Sequence, residues 1–292
     1  MSETRSVSVV IPTVGRASLV AAVRSALAQS TPAAQVVIAY DGPRASAPSL
    51  GEFGDRVQVV STGGGAGPNG ARNAAIRASR GDLIALLDDD DEWRADKLET
   101  QLRLVEGEND DHWIATSAVL TAGATPGHIW PSRGPRATEP VADYLFVRNV
   151  FRRHPFLQTS TWLAPRSLFD RIPLREDDAI RIHDDFDWLI RAQAEHGVRI
   201  LFSPEPTTTY TVLNGDSFGI RSRWEDSLSW ISDPGLPIRA RARADFALKI
   251  PFSMAQRAGG RRDGLRVVGR ALRLGVPTAL GLGIALAKVA RG

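Results

Sequence analysis

The sequence predicts an α/β fold, in which helices cover both faces of a mostly parallel sheet and a helical extension follows at the C-terminus. Short apolar runs typical of buried strands alternate with amphipathic helical stretches along residues 7–106. The chain has 292 residues, of which 43% are apolar and 24% charged, as in a globular protein with a large core. From residue 238 onward the pattern is helical. These three observations together predict the fold class.

The predicted elements follow one another in a regular order. Strands are expected at residues 7–12, 35–41, 57–62 and 82–88, and helices at 18–30, 69–80 and 95–106. Continuous apolar strands between helices are typical of a parallel sheet that is buried on both faces. Residues 123–140 are rich in Pro and Gly and predict a long loop. Three helices are expected in the tail, over 238–260, 261–275 and 276–292.

Polar residues follow the predicted strands at their carboxyl ends. Thr13 and Asp41 end the first two strands, a glycine-rich run follows Thr62, and the tetrad Asp88–Asp91 ends the fourth strand. In parallel α/β sheets, ligands bind beyond the carboxyl ends of the strands. We therefore expect these four groups to line one crevice.

The tetrad Asp88–Asp91 predicts a cation site. Four adjacent carboxylates repel one another, and burying them is costly unless a positive charge compensates. Mg²⁺ and Mn²⁺ commonly bind one or two carboxylates together with substrate phosphates. On an extended segment Asp88 and Asp90 point to one side, so we expect one pair to address metal and substrate. The other pair would face solvent or cap the next helix. The alternative is an acidic capping turn without a ligand.

The segment "STGGGAGPNGARN" (61–73) combines a glycine-rich turn with the start of a helix. Backbone N–H groups in such a turn can cradle a phosphate, and Arg72 and Asn73 are placed where they could reach a phosphate or a base. A flexible surface loop is the alternative interpretation.

Charge and cysteine usage narrow the classes of protein. Residues 221–292 carry 14 Lys and Arg against 5 Asp and Glu, whereas residues 1–220 carry 22 against 28. An acidic body needs cations, and a basic tail suits phosphate or anionic lipid.

The absence of cysteine excludes disulfides, thiolate chemistry and cysteine-based zinc sites. The polar N-terminus predicts no secretory signal, so we expect a protein that is cytoplasmic, either free or peripheral at the inner face of the membrane.

The segments "VVIPTVGR", "VVIAYDG" and "GARNAAIRASRGDLIALLDDDDEWRADKLETQ" resemble, in this order, the N-terminal half of family 2 glycosyltransferases, which have the GT-A fold. The resemblance covers residues 6–106 and extends more loosely to about residue 215. There, "HDDFDWLIRAQAEHGVRILFSPEPTTTY" is similar to the acidic helix of the family. The resemblance implies an inverting transfer of a sugar from a nucleotide-diphospho-sugar to an acceptor hydroxyl, with Mg²⁺ or Mn²⁺ on the diphosphate.

The resemblance also implies roles for individual residues. Asp90 matches the metal ligand and Asp185 the general base. Thr13 and Asp41 match positions near the donor base. By the same resemblance, Asp88 and Asp89 would lie near the ribose of the donor. The full set of expected donor-binding residues is Pro12, Thr13, Gly15, Arg16, Asp41, Arg72, Asn73, Asp88 and Asp89.

The sequence departs from the family pattern at three places. Tyr40 precedes Asp41 where the family has a second acid, and Gly15 replaces the usual Asn of the first loop. Both changes lie near the expected nucleobase, so a uridine donor is not assumed. In "HDD" the acidic pair is Asp184–Asp185 where the family more often has Glu-Asp, which leaves the base intact. For His183, which precedes the pair, we favour a solvated loop histidine over an acceptor or phosphate contact.

Physical chemistry supports Asp185 as the general base independently of the family resemblance. An inverting transfer needs a base that accepts the proton of the attacking hydroxyl. A carboxylate next to another acid has a raised proton affinity, and Asp184, Asp185 and Asp187 are close together. The alternative is capping, because negative charge in the first turn of a helix is stabilising by about 0.3–1 kcal/mol.

The expected domains are a catalytic domain at 1–220 and a basic helical extension at 221–292. Within the former, residues 1–110 would bind the nucleotide-sugar and residues 111–220 the acceptor. Residues 211–226 would form a loop closing over the diphosphate, with Arg221 and Arg223 supplying charge. The basic amphipathic tail would bind a membrane surface or pack on the catalytic domain or a dimer partner, and packing is favoured.

The expected partners are the donor and a small-molecule, glycan or lipid-linked acceptor, and nucleic acid is not expected. Two other functions remain open. One is a nucleotidyltransferase of similar fold, which would hold a triphosphate with a basic loop after the first strand. This function is disfavoured because only Arg16 and Arg24 are basic there. The other is a non-catalytic sugar-nucleotide-binding subunit.

Overall fold

The structure is a computed structural model that describes residues 5–149, 155–177, 183–212 and 223–291. The strands are β1 (Val7–Thr13), β2 (Gln35–Tyr40), β3 (Val57–Ser61), β4 (Leu83–Leu86), β5 (Glu92–Trp93), β6 (Trp113–Gly123), β7 (Ile129–Trp130), β8 (Leu163–Pro165) and β9 (Arg199–Val212). The helices are α1 (Leu19–Leu27), α2 (Gly67–Ala78), α3 (Lys97–Leu104), α4 (Val141–Phe146), α5 (Arg166–Arg171), α6 (Asp184–His196), α7 (Trp224–Ser232), α8 (Ala240–Lys249), α9 (Pro251–Leu274) and α10 (Ala279–Arg291).

The described strands form one mixed sheet in the order β3-β2-β1-β4-β8-β6-β9-β5, with β7 paired to β6. The pairs among β3, β2, β1 and β4 are all parallel. Strand β8 is antiparallel to both β4 and β6, and β9 is parallel to β6 but antiparallel to β5. The predicted α/β class with a parallel first half is therefore confirmed, and the second half of the sheet is mixed.

The first four strands form where the continuous apolar runs predicted them. Every side chain of β1 and β4 is buried, and Val9, Ile11 and Ile38 share a core with Leu19 and Val23 of α1. The fourth strand ends at Leu86 rather than at residue 88. The tetrad beyond it bends, with the backbone N–H of Asp91 donating to the carbonyl of Asp88 at 3.2 Å. The expectation of an extended tetrad is thus wrong.

Two other expectations about the elements need correction. The loop predicted at 123–140 contains β7, which pairs with β6 through Val119 and Trp130. The first predicted tail helix, 238–260, is interrupted, because α8 ends at Lys249 and α9 begins at Pro251. The predicted boundary at residue 260 is present as a kink within α9 at Gly260, which has a φ of +61°.

The chain divides into two compact units. The first comprises residues 1–134, 156–176 and 197–212 and contains the sheet. The second comprises residues 135–155, 177–196 and 213–292, where α9 and α4 pack on α8. The predicted domain boundary at residue 220 and most of the predicted closing loop lie outside the described residues, and α7 begins at Trp224.

No helix in the described part of the chain is long and apolar enough to cross a membrane.

Candidate active site

The four aspartates of the tetrad alternate in burial within the first unit. Asp89 and Asp91 are buried, at 2% and 1% exposure, whereas the side chains of Asp88 and Asp90 are 22% and 26% exposed. One pair is accessible, as predicted. The other pair does not face solvent or cap the next helix, because its carboxylates point into the protein and bind polar groups there.

Asp89 holds the loop that follows β1. Its carboxylate accepts a hydrogen bond of 2.5 Å from the Thr13 hydroxyl and another of 2.5 Å from the guanidinium of Arg16. The Thr13 hydroxyl in turn accepts the backbone N–H of Gly15, whose φ of +91° suits glycine. Three of the residues predicted to bind donor, Thr13, Arg16 and Asp89, are therefore brought together. Pro12 lies beside them, buried in β1.

Asp88 is paired with a cation from α2. The guanidinium of Arg72 donates to its carboxylate at 2.7 Å, and Gln158 donates to its other oxygen at 3.3 Å. Arg72 was predicted to reach a phosphate or base, and the structure places it against the tetrad. Asn73 lies elsewhere, because its amide donates to the Leu174 carbonyl and to Glu176, each at 2.8 Å. Its observed contacts hold the chain segment that packs on α2.

Asp90 is the tetrad member with the least compensation. Burial and the negative charge of Asp88 raise the pKa of the Asp90 carboxyl to about 6. The guanidinium of Arg16 lowers this pKa, but it lies 4.0 Å from the carboxylate. The accessible oxygens of Asp88 and Asp90 are of the type that Mg²⁺ and Mn²⁺ prefer. A divalent cation would replace the missing positive charge, so these residues fit such an ion. Among the described residues, no three His, Cys, Asp or Glu side chains converge as a metal cage.

Asp91 belongs to a buried network that the sequence analysis missed. Its carboxylate accepts hydrogen bonds from Gln158 at 2.9 Å, from the Ser160 hydroxyl at 2.7 Å and from the backbone N–H of Thr211 at 2.9 Å. Burial and repulsion by Asp88 raise the pKa of Asp91 well above its ordinary value. The polar run "QTST" inside "FLQTSTWLA" was the available signal, since buried polar groups need partners.

The glycine-rich run is held by side chains of the protein. Asp41 accepts the Thr62 hydroxyl at 2.5 Å and the backbone N–H groups of Ala66 and Gly67 at 2.9 and 2.8 Å. The N–H groups of Gly63 and Gly64 donate to the hydroxyls of Ser61 and Thr62, respectively. These four N–H groups therefore already have acceptors, which weakens the interpretation as a phosphate cradle. The contacts of Asp41 stabilise the start of α2.

Tyr40 occupies the space between the two loops at this end of the sheet. Its ring lies 3.4 Å from where a Cβ on Gly15 would be, and a Cβ on Gly42 would overlap it. The tyrosine is 7% exposed. The departure from the family pattern thus changes the shape of the surface beside Thr13 and Asp41.

Asp185 lies in the second unit, in the first turn of α6, as predicted. Asp184 and Asp185 are half-buried, and each accepts the backbone N–H of the residue that follows it. Asp187 is different. It is fully buried and pairs with Arg191 one turn later at 2.8 Å. Asp187 is therefore a structural residue, not an exposed capping charge.

The interpretation of His183 as a solvated loop histidine is wrong. The ring is 2% exposed, and its Nε2 lies 2.7 Å from the hydroxyl of Ser227. It packs among aromatic rings, with centroids at 4.7 Å for Trp230 and 5.0 Å for Phe246. Burial lowers the pKa of His183 from 6.5 to about 3. The sequence showed a histidine beside acids but not the aromatic residues that surround it.

We expect His183 to make stability depend on pH. The unfolded state takes up a proton near the ordinary pKa of 6.5, whereas the native pKa is about 3. Between these values the unfolded state binds more protons, so the free energy of unfolding falls as the pH falls. The loss should be about 2 kcal/mol between pH 7 and pH 5.

Urea unfolding of the parent and of His183→Gln at the two pH values measures this contribution. Glutamine retains a polar partner for Ser227 but does not titrate. We expect the variant to lose less stability on acidification than the parent, and equal losses would contradict the assignment.

Sequence comparison identifies the family. Residues 8–172, more than half of the chain, match the glycosyl transferase family 2 model. The amylovoran biosynthesis glycosyltransferase AmsB of Erwinia amylovora is 29% identical over 240 residues, which are 77% of this chain and 76% of AmsB. The succinoglycan biosynthesis protein ExoO of Rhizobium meliloti is 28% identical over 204 residues, which are 68% of this chain and 58% of ExoO.

Solved structures show the same fold at low identity. TarS of S. aureus superimposes with a TM-score of 0.62 at 15% identity, covering 98% of this chain and 88% of the TarS fragment. The same fragment has been solved with UDP-GlcNAc (TM-score 0.60). The mannosyltransferase PcManGT of Pyrobaculum calidifontis, solved with GDP-Man and Mn²⁺, gives 0.54 at 16% identity, covering 99% and 75%. These likenesses confirm a GT-A-like fold.

The chain belongs to glycosyl transferase family 2 and is a glycosyltransferase. The predictions of family, fold class and enzyme class are confirmed.

Proposed function

We propose that this glycosyltransferase inverts the anomeric configuration of a sugar that it transfers from a nucleotide-diphospho-sugar to an acceptor hydroxyl. The observation that carries the proposal is the tetrad, in which Asp90 combines partial exposure with an elevated pKa of about 6. A site with excess negative charge at the end of a strand binds an anionic diphosphate only through a cation. Mg²⁺ or Mn²⁺ at Asp90, with Asp88 beside it, would supply the charge that neutralises the diphosphate leaving group.

The loops around the tetrad would bind the donor nucleotide. Thr13 and Arg16 are fixed by Asp89 at the end of β1, and a fixed side chain loses less entropy when it binds a ligand. Tyr40, Gly15 and Asp41 would shape the site of the base. Asn73 belongs to the proposed set, although its amide binds Leu174 and Glu176 in this structure.

Asp185 would be the general base, as the resemblance implies. A base must be ionised and within hydrogen-bond reach of the attacking hydroxyl. The half-buried carboxylate in the first turn of α6 has the burial expected of a group that meets a substrate. Asp187 does not compete for the role, since it is fully buried and paired with Arg191.

The function is tested by thermal unfolding of the full chain with a panel of nucleoside diphosphates, each with and without Mn²⁺. A ligand that binds only the native state stabilises it, by about 2.7 kcal/mol at a hundredfold excess over Kd. We expect one base to raise the melting temperature more than the others, and only when Mn²⁺ is present. Stabilisation by nucleoside triphosphates with no response to diphosphates would instead favour the nucleotidyltransferase.

The relatives indicate the class of acceptor. A small molecule, a glycan or a lipid-linked sugar would fit an enzyme related to proteins of polysaccharide biosynthesis. We place the protein in the cytoplasm, with a homodimer or peripheral membrane contact formed through the basic tail.

A further inference from the structure

A groove of about 670 Å³ lies between α7 and α9 in the second unit. Trp224 and Leu228 contribute from α7, and three arginines contribute from α9, namely Arg266, Arg270 and Arg273. The arginines are four and three residues apart, so they lie on one side of the helix. A periodic row of guanidinium groups beside an indole and an apolar floor distinguishes this groove from an ordinary charged surface.

Helix α9 has two faces of different chemistry. Val267, Val268 and Ala271 are buried in the packing of the second unit. The exposed side carries the arginines of the groove and, roughly 100° around the helix axis from them, Leu265 and Leu272, which are 48% and 52% exposed. An apolar residue exposed to water gains nothing there, and exposed leucines beside a row of arginines are typical of a helix that lies at a lipid interface.

The charges of the groove are mostly uncompensated. Arg266 pairs with Asp263 at 2.7 Å, and Glu225 on the α7 side already lies 3.6 Å from Arg223. Within the part of the chain that the structure describes, Arg270 and Arg273 have no ion-pair partner. Guanidinium groups bind phosphate oxygens through paired N–H donors. The missing counter-charge is therefore expected from a ligand that carries phosphate.

We propose that this groove binds the phosphate headgroups of an anionic lipid surface. The arginines of α9 contact the phosphates, Trp224 lies at the level of the headgroups, and Leu265 and Leu272 enter the boundary with the acyl chains. Val276, just beyond α9 and 75% exposed, extends the same apolar contact. The buried face of α9 meanwhile keeps its packing, so the two expectations for the tail, packing and membrane contact, are met by opposite faces of one helix.

Flotation of the full-length protein with lipid vesicles tests this proposal. Vesicles of phosphatidylcholine alone are compared with vesicles that also contain phosphatidylglycerol. We expect binding only to the anionic vesicles, with a decrease at high salt because exposed charges are screened. The triple variant Arg266→Gln/Arg270→Gln/Arg273→Gln should partition about 100-fold more weakly, since each basic side chain near an anionic surface contributes about fivefold.

Two further comparisons separate the groove from net charge and from misfolding. The variant Arg77→Gln/Arg80→Gln/Arg103→Gln removes the same charge from exposed arginines of the first unit and should bind vesicles as the parent does. Gly269 lines the groove, and a Cβ there would meet no atom within 4 Å. Gly269→Glu should therefore fold and weaken vesicle binding, while Gly269→Gln should have little effect.

Several outcomes would overturn the proposal. One is equal binding to neutral and anionic vesicles. Another is unchanged binding by the groove variant, or an equal loss in the matched control. A third is stabilisation of the parent by inorganic pyrophosphate, absent in the groove variant, without any vesicle binding. That result would assign the groove to a soluble phosphate. A change of oligomeric state in Leu265→Ser/Leu272→Ser, again without vesicle binding, would assign this face to a second copy of the chain.

Discussion

Replacing Asp185 with Asn is expected to reduce turnover by roughly 10²–10⁴-fold, the range for the loss of a general acid or base. Asparagine has nearly the same size, and its carbonyl oxygen can still accept the N–H of Phe186, which Asp185 accepts at 2.8 Å. The fold and the affinity for the donor should therefore survive. The measurement is single-turnover transfer, combined with donor binding followed by thermal shift.

Asp184→Asn is the matched control, because Asp184 is also half-buried in the first turn of α6 and accepts the next backbone N–H. We expect it to retain most of the activity. Asp187→Ala should act on stability instead, since it removes the carboxylate that pairs with the buried guanidinium of Arg191, and breaking a buried ion pair costs about 3–5 kcal/mol. Near-parental turnover of Asp185→Asn, or a product that retains the configuration of the donor sugar, would exclude this mechanism.

Asp90→Ala is expected to abolish metal-dependent binding of the donor while leaving the protein folded. The carboxylate is destabilised by burial and by Asp88, so its removal relieves repulsion and should not lower the melting temperature. Asp90 is the accessible carboxylate whose negative charge is least neutralised by nearby basic side chains, since Arg16 lies 4.0 Å away. Without it, the cation loses this ligand. The stabilisation by the preferred nucleoside diphosphate and Mn²⁺ should disappear.

Glu92→Ala provides the control for charge. Glu92 is exposed in β5, two residues beyond Asp90, and its removal changes the net charge equally. We expect this variant to keep the response to Mn²⁺. If Asp90→Ala binds the donor with the same metal dependence as the parent, Asp90 is not the metal ligand.

The sequence predicted the parallel half of the sheet because Val9, Ile11 and Ile38 belong to short apolar runs between helices, and this pattern is typical of buried parallel strands. It also predicted that Asp88 and Asp90 would share an accessible side. It could not show that Asp89 and Asp91 turn inward, since their partners, Thr13, Ser160 and Thr211, are up to 120 residues away in the chain. Such contacts depend on the pairing of strands and not on a local pattern.

The same limit explains why the phosphate-cradle interpretation of the glycine-rich run is weakened and why the prediction for His183 is wrong. A glycine-rich turn before a helix has the same sequence whether its N–H groups bind a phosphate or the carboxylate of Asp41, 25 residues earlier. His183 is buried by Ser227, Trp230 and Phe246, which lie in helices far along the chain. Local polarity predicted exposure, and tertiary packing determined the opposite.

The hydrogen bond from the Thr211 backbone to Asp91 gives this enzyme a spectroscopic reporter. The backbone N–H of Thr211, near the end of β9, donates to the buried carboxylate of Asp91 with an N···O distance of 2.9 Å. Its exchange with deuterated solvent requires that this contact open, and exchange rates measure the free energy of such local opening. Slower exchange of this one amide on addition of Mn²⁺ and nucleotide would show that ligands at the accessible acids tighten the buried ones.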